Sequence, residues 1–117
     1  MAPEEFDKLV ETAMKIVPPS FRRRLKNVVF LVEPEPPRPG LLGLYHGRPL
    51  PLRSVSDSFT MPDRIVIYQG PHERLARDPG DLLRLVRETV WHEVAHYFGM
   101  DERQVRAAER RRRRPAR

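Results

Sequence analysis

The sequence predicts a small α+β domain, and three observations support this prediction. The chain has 117 residues, which suits one domain with a buried core. Three short apolar runs, bounded by proline and glycine, have the composition of strands. Two longer segments, one before and one after these runs, repeat apolar residues at helical spacing. Helices and strands therefore occur together in a chain of single-domain length.

The first predicted helix covers residues 4–17. Pro3 suits its first turn, and Pro18 and Pro19 stop it, because proline has no N–H to donate in a helix interior. The apolar residues recur three or four positions apart along this segment, at Phe6, Leu9, Val10, Ala13, Ile16 and Val17. This periodicity is typical of a helix with one buried face.

The three apolar runs are predicted strands, at residues 28–32, 41–45 and 65–68. The first is rich in β-branched residues and is typical of a buried strand. The second is interrupted at Gly43, and Gly70-Pro71 closes the third. Residues 33–40 contain four prolines and predict an irregular connection, whereas residues 48–63 predict a long surface loop.

The second predicted helix begins after Asp78 and continues to residue 98. Asp78 is a favourable N-cap, and Pro79 fits the first helical position. Gly99 stands where a left-handed residue ends a helix. A stripe of apolar residues at spacings of four, four, four and three predicts an amphipathic helix: Leu82, Val86, Val90, Val94 and Tyr97.

The net charge of +6 belongs to the last fifteen residues. Residues 103–117 contain eight arginines and one acid, whereas residues 1–102 contain fourteen bases and fifteen acids. We therefore divide the chain into a nearly neutral domain, residues 1–102, and an arginine-rich C-terminal helix or tail, residues 103–117. Within the tail, Arg110–Arg114 form a block of the kind that binds phosphates without sequence preference. The alternative is a solvated terminus that aids solubility.

The composition excludes several classes of protein. The absence of cysteine excludes disulfides, thiolate metal sites and cysteine nucleophiles. No apolar run approaches the roughly 20 residues of a membrane span, and the acidic segment Met1–Glu5 is unlike a secretory signal. We expect a cytoplasmic protein without membrane contact. Abundant arginine and proline with few amides are typical both of thermophiles and of GC-rich genomes.

The second predicted helix carries a His-Glu-x-x-His motif. His92 and His96 are four residues apart, so on a helix they differ by about 40° in direction and about 6 Å in height. Their imidazoles can converge on one ion at the nitrogen–zinc distance of about 2.0 Å. Glu93 flanks such an ion and can accept a proton from water, as in metallopeptidases. The alternative is two histidines on a half-buried face with an incidental glutamate.

A catalytic zinc ion usually takes three protein ligands, and the third is expected beyond Gly99. A left-handed turn at Gly99 lets the chain double back toward the ion. Both Asp101 and Glu102 follow this turn. Asp101 and Gln104 resemble a capping box that opens the arginine-rich helix, and if Asp101 is that cap, Glu102 is the better ligand. The alternative is that both acids only stabilise a helix N-terminus.

These residues resemble a family, the small bacterial zincin-like metallopeptidases. The motif H-E-x-x-H-x-x-G-x-x-(Asp/Glu) occurs at residues 92–102, and further matches lie at residues 41–47, 61–68 and Gly70-Pro71. The resemblance covers about residues 1–105. It implies a minimal zincin fold, in which a small mixed sheet packs on the active-site helix. It also implies zinc held by His92, His96 and Glu102.

The resemblance implies a zinc metallopeptidase in which Glu93 is the general base and then the proton donor to the leaving amine. We expect a peptide or protein substrate to pair with a sheet edge, with residues 65–68 as the candidate strand. Three residues are open as oxyanion stabilisers: Tyr45, Tyr68 and His46. We expect His46 and His72 at the surface, because both follow strand segments.

Two other functions stay open. A zinc site with a basic tail also suits a metal-dependent RNA-processing hydrolase that binds nucleic acid through Arg110–Arg114. The zincin-like endoribonucleases use a different histidine pattern, without a glutamate beside the first histidine, so Glu93 favours peptide hydrolysis. The other alternative is a zinc-binding protein without catalysis.

Overall fold

The computed structural model describes residues 1–47 and 62–100, together with Arg103, Gln104 and Ala107. Most of the predicted surface loop, residues 48–61, lies outside the described residues. The described elements in chain order are α1 (Pro3–Met14), α2 (Pro19–Arg22), β1 (Val28–Glu33), β2 (Gly43–His46), β3 (Asp63–Tyr68), α3 (Gln69–Leu75) and α4 (Pro79–Tyr97). None of these helices is long and apolar enough to cross a membrane.

β3 is the central strand of a mixed three-stranded sheet. It pairs in parallel with β1, where Phe30 lies opposite Ile65, and antiparallel with β2, where Tyr45 lies opposite Ile65. The strand order β1-β3-β2 makes β1 and β2 the edges of the described sheet. This arrangement confirms the predicted α+β fold.

The core lies between one face of the sheet and the helices α1 and α4. Ile65 and Ile67 of β3 are fully buried and belong to one cluster with the apolar stripe of α4. Each such buried aliphatic side chain stabilises the fold by about 1.5–3 kcal/mol. All five residues of the predicted stripe are buried, so the helix face predicted from the spacing is the face that packs in the core. α1 adds three buried residues: Phe6, Val10 and Ala13.

Both ends of α4 have the predicted caps. The side chain of Asp78 accepts a hydrogen bond from the N–H of Asp81 at 2.8 Å. At the other end Gly99 has a φ of 75°, a conformation that glycine adopts without steric penalty. The N–H groups of Gly99 and Met100 donate to carbonyls of the last turn, at 2.9 and 3.1 Å, which is a Schellman motif. Local signals therefore fix where this helix begins and ends.

Two short helices differ from the sequence prediction. α2 begins at Pro19, the second of the two prolines predicted to stop the first helix. α3 contains Gly70 and Pro71, which the sequence indicates only as the end of a strand. Proline is compatible with a first helical turn, so the same residue can end one element and begin the next. α1 also ends at Met14, three residues before its predicted end.

Candidate functional site

α4 brings three of the predicted site residues together. The ligating atoms of His92, Glu93 and His96 all lie within 4.8 Å of one another, and the centroids of the two imidazole rings are 4.8 Å apart. Both histidines are half-buried, whereas Glu93 is only 8% exposed. Residues three and four apart are neighbours on a helix surface, so Glu93 lies beside His96 and His92 lies beside His96.

The cluster fits a zinc ion in both chemistry and size. Imidazole nitrogen is a common zinc donor, and two donors at about 2.0–2.1 Å from one tetrahedral ion lie about 3.4 Å apart. The ligating atoms lie within 4.8 Å of one another, somewhat farther apart than this. Small side-chain rotations therefore bring the two imidazoles onto one ion. His92 and His96 would hold it.

The third predicted ligand lies outside the described residues, as do Asp101 and the arginines 110–114. Glu102 accordingly stays a prediction. The described chain does contain the turn on which that prediction depends, because Gly99 has the expected left-handed conformation.

A cleft of about 380 Å³ lies beside the cluster. One wall is the segment Gly40–Gly43, and the other is the face of α4 from Leu85 to Glu93. The two walls approach each other most closely at Gly43, where a β-carbon would lie 2.6 Å from Cγ2 of Thr89 and 3.2 Å from Cγ of Glu93. Only glycine permits this approach, because real β-carbons do not make contacts below 3.0 Å. Gly43 thus sets the position of β2 over the glutamate.

The three residues considered for oxyanion stabilisation differ in their surroundings. The hydroxyl of Tyr45 donates to Asp63 at 2.6 Å, and its ring packs edge-on against Tyr97. Tyr68 is 2% exposed, and its pKa is raised mainly by burial and further by the charges of Glu33 and Glu93. Tyr68 therefore lies close enough to Glu93 to sense its charge. His46 is exposed, as predicted.

The prediction that a substrate peptide pairs with residues 65–68 at a sheet edge is wrong. These residues belong to β3, which is bonded to a neighbouring strand on each side. A central strand has no edge onto which another strand can add. The edge strand next to α4 and the cleft is β2. Strand order depends on pairing between distant segments, which local composition does not encode.

The predicted exposure of His72 is also wrong. His72 is fully buried, with Nδ1 2.6 Å from the carbonyl of Tyr68 and Nε2 2.8 Å from the hydroxyl of Thr89. Burial lowers its pKa, and the hydrogen bond to the Tyr68 carbonyl opposes this effect only in part. Nδ1 donates to the Tyr68 carbonyl, which can only accept, whereas the single proton of the Thr89 hydroxyl is shared between Nε2 and the carbonyl of Leu85, which lies 3.0 Å from that hydroxyl. The sequence carries no signal for this burial, because it requires α3, a helix that the sequence does not predict.

Comparison with known proteins agrees with this fold and this cluster. A family model for zincin-like metallopeptidases matches residues 25–112. The chain is also similar to a solved structure described as a conserved hypothetical protein from Thermo thermophilus. The two chains are 30% identical over 93% of this chain and 99% of that one, with a TM-score of 0.56. No curated protein matches. The chain belongs to the zincin-like metallopeptidase family.

Proposed function

We propose that this protein is a zinc-dependent metallopeptidase that hydrolyses peptide bonds in the cleft between α4 and residues 40–43. The observation that carries this proposal is the convergence of His92, Glu93 and His96 at the side of that cleft. Membership of the zincin-like family implies a metal, and the two imidazoles fit zinc. His92 and His96 hold the ion, with Glu102 as the proposed third ligand.

Glu93 performs the proton transfers of the proposed reaction. A bound zinc ion supplies the Lewis acidity that activates water for attack on a carbonyl. The carboxylate of Glu93 accepts the proton that the water loses and then gives it to the leaving amine. Glu93 is suited to this role because it lines the cleft and is only 8% exposed, so few other water molecules compete for the carboxylate.

β2 is the strand onto which we propose that the substrate peptide adds. It lies at an edge of the sheet, and its first residue, Gly43, lies directly over Glu93 and Thr89. An extended peptide that pairs with an edge strand is held by main-chain hydrogen bonds. These main-chain contacts would position the scissile bond beside Glu93.

The test is a cleavage assay that compares wild type with Glu93→Gln on a synthetic peptide library. Loss of the general base is expected to reduce cleavage by about 10²–10⁴-fold, while the zinc content stays near that of wild type. Glu88→Gln is the matched control, because Glu88 lies on the same helix and lines the same cleft. Equal cleavage by wild type and Glu93→Gln, or no cleavage by wild type, would contradict the proposal.

The RNA-processing alternative stays a prediction, because Arg110–Arg114 lie outside the described residues. One described feature is relevant to it. Arg22, Arg23, Arg24 and Lys26 are all exposed, and the Arg24 guanidinium lies over the ring of Phe98, near the end of α4. The basic surface is therefore near the segment from which the tail departs. Glu93 still favours peptide hydrolysis over this alternative.

A further inference from the structure

A second groove, of about 580 Å³, lies next to the proposed catalytic cleft. Its walls are mainly apolar and come from two parts of the chain: the segment between β1 and β2, which is rich in proline, and α3. Three prolines and two leucines line it, namely Pro36, Pro39, Pro71, Leu42 and Leu75. Its volume is within the range of about 300–1,000 Å³ that is typical of ligand sites.

Two contacts hold the proline-rich wall of this groove against α3. The N–H of Gly70 donates to the carbonyl of Pro34 at 2.9 Å. Arg74 donates two hydrogen bonds to the carboxylate of Glu35, at 2.7 and 2.9 Å. A β-carbon at residue 70 would lie 2.8 Å from the carbonyl oxygen of Pro34, so a side chain there would push the proline-rich segment away from α3. The groove is thus formed before any ligand binds, which reduces the entropy lost on binding.

The groove presents no net charge to a ligand. Glu35 and Arg74 are its only charged lining residues among those described, and they form an ion pair with each other. Arg74 lowers the pKa of Glu35, so the carboxylate stays ionised and paired at neutral pH. A charged side chain would have to compete with this pair, whereas an apolar side chain needs only the proline and leucine walls. The lining therefore favours an apolar ligand.

The groove adjoins the catalytic cleft. Gly40 and Leu42 line both cavities, and the next residue, Gly43, contacts Glu93. The three steps from Gly43 to Gly40 span at most about 10 Å of extended chain. An extended peptide that follows this wall from Glu93 would reach the second groove after about three residues.

We propose that this second groove is a substrate subsite that binds an apolar side chain about three residues from the scissile bond. The proposal rests on the proposed peptidase function, because it requires a peptide in the cleft. It also specifies that function: the enzyme selects substrates with an apolar residue at a fixed distance from the bond that it cuts.

A binding experiment tests the subsite separately from catalysis. The probe is a library of synthetic decapeptides with randomised positions, bound to the zinc-loaded Glu93→Gln variant, which is designed to hold peptides without cutting them. We expect bound peptides to be enriched in apolar residues at one position. Adding Leu75→Asp, which introduces a charge at a residue 57% exposed, should weaken binding of these peptides by about tenfold and remove the enrichment.

Leu31→Asp is the matched control. Leu31 is also a partly exposed leucine, at 37%, but it belongs to β1, the edge of the sheet away from β2. This change should leave both affinity and preference as they are in Glu93→Gln alone. The subsite proposal is overturned if Leu75→Asp leaves the apolar preference unchanged. It is also overturned if Glu93→Gln shows no apolar preference. If wild type cleaves no peptide but Glu93→Gln still prefers apolar peptides in a way that Leu75→Asp removes, the peptidase proposal is overturned and the subsite is retained.

Discussion

The histidines of this protein occupy two contrasting environments. His72 is fully buried between α3 and α4, 6.0 Å from the ring of Phe6, and hydrogen-bonds through both ring nitrogens. His92 and His96 are half-buried on α4, with their rings 4.8 Å apart and a carboxylate between them in sequence. The three side chains have the same chemistry, but their positions lead to different roles.

The difference shows what separates a structural histidine from a candidate ligand. Both nitrogens of His72 have protein partners, so the ring has no donor to offer a metal, and burial keeps it neutral. His92 and His96 are instead half-buried in one group with Glu93, and His92 and Glu93 line the cleft. A histidine therefore has to be partly accessible and part of a convergent group to serve the proposed chemistry.

The largest effect is expected from removing the converging pair. His92→Ala/His96→Ala should lose the zinc that we expect wild type to retain, about one ion per chain, because both proposed imidazole ligands are gone. His46→Ala, at the exposed fourth histidine, is the control and should keep full occupancy. Metal analysis of protein purified without chelator measures this. Stoichiometric zinc in the double variant would place the metal elsewhere in the chain.

Loss of the buried histidine should reduce stability and not metal binding. His72→Ala removes two hydrogen bonds and leaves a cavity, so we expect the free energy of unfolding to fall by about 2–4 kcal/mol. Urea denaturation of the metal-free protein measures this change. Thr89→Val keeps the shape of the side chain but not the hydroxyl. The losses of unfolding free energy in Thr89→Val and His72→Ala should not add in the double variant, because both changes remove the same hydrogen bond. Strict additivity would show that the two side chains do not interact.

The smallest expected effect is a pH dependence of the free energy of unfolding that arises from His72. Its pKa in the folded protein lies below the ordinary value of 6.5, so the unfolded chain binds the proton more readily. The contribution of His72 to the free energy of unfolding should be fully present above about pH 7. It should decrease as the pH falls below 6.5 and level off below the pKa of the folded state. His72→Gln should show less of this decrease between about pH 7.5 and 5.5 in urea denaturation. An identical pH profile in both proteins would contradict the buried neutral state.

Local signals in the sequence predicted α4 closely. Its apolar stripe, the Asp78 cap and the Gly99 turn all depend on residues within one or two helical turns of each other, and all three occur in the structure. The convergence of His92 with His96 follows from the same helical geometry. α3 and the burial of His72 could not be predicted, because Pro71 signals a break as readily as a first helical turn.

The amino-acid sequence alone specifies α4, its caps and the residues that form the His-Glu-His cluster, because helical periodicity places residues three and four apart on one face. Tertiary packing establishes what surrounds that cluster. The insertion of β3 between β1 and β2 makes β2 the edge strand, and the close approach at Gly43 places that strand over Glu93. These features join segments far apart in the chain, so they depend on long-range packing that no local pattern specifies.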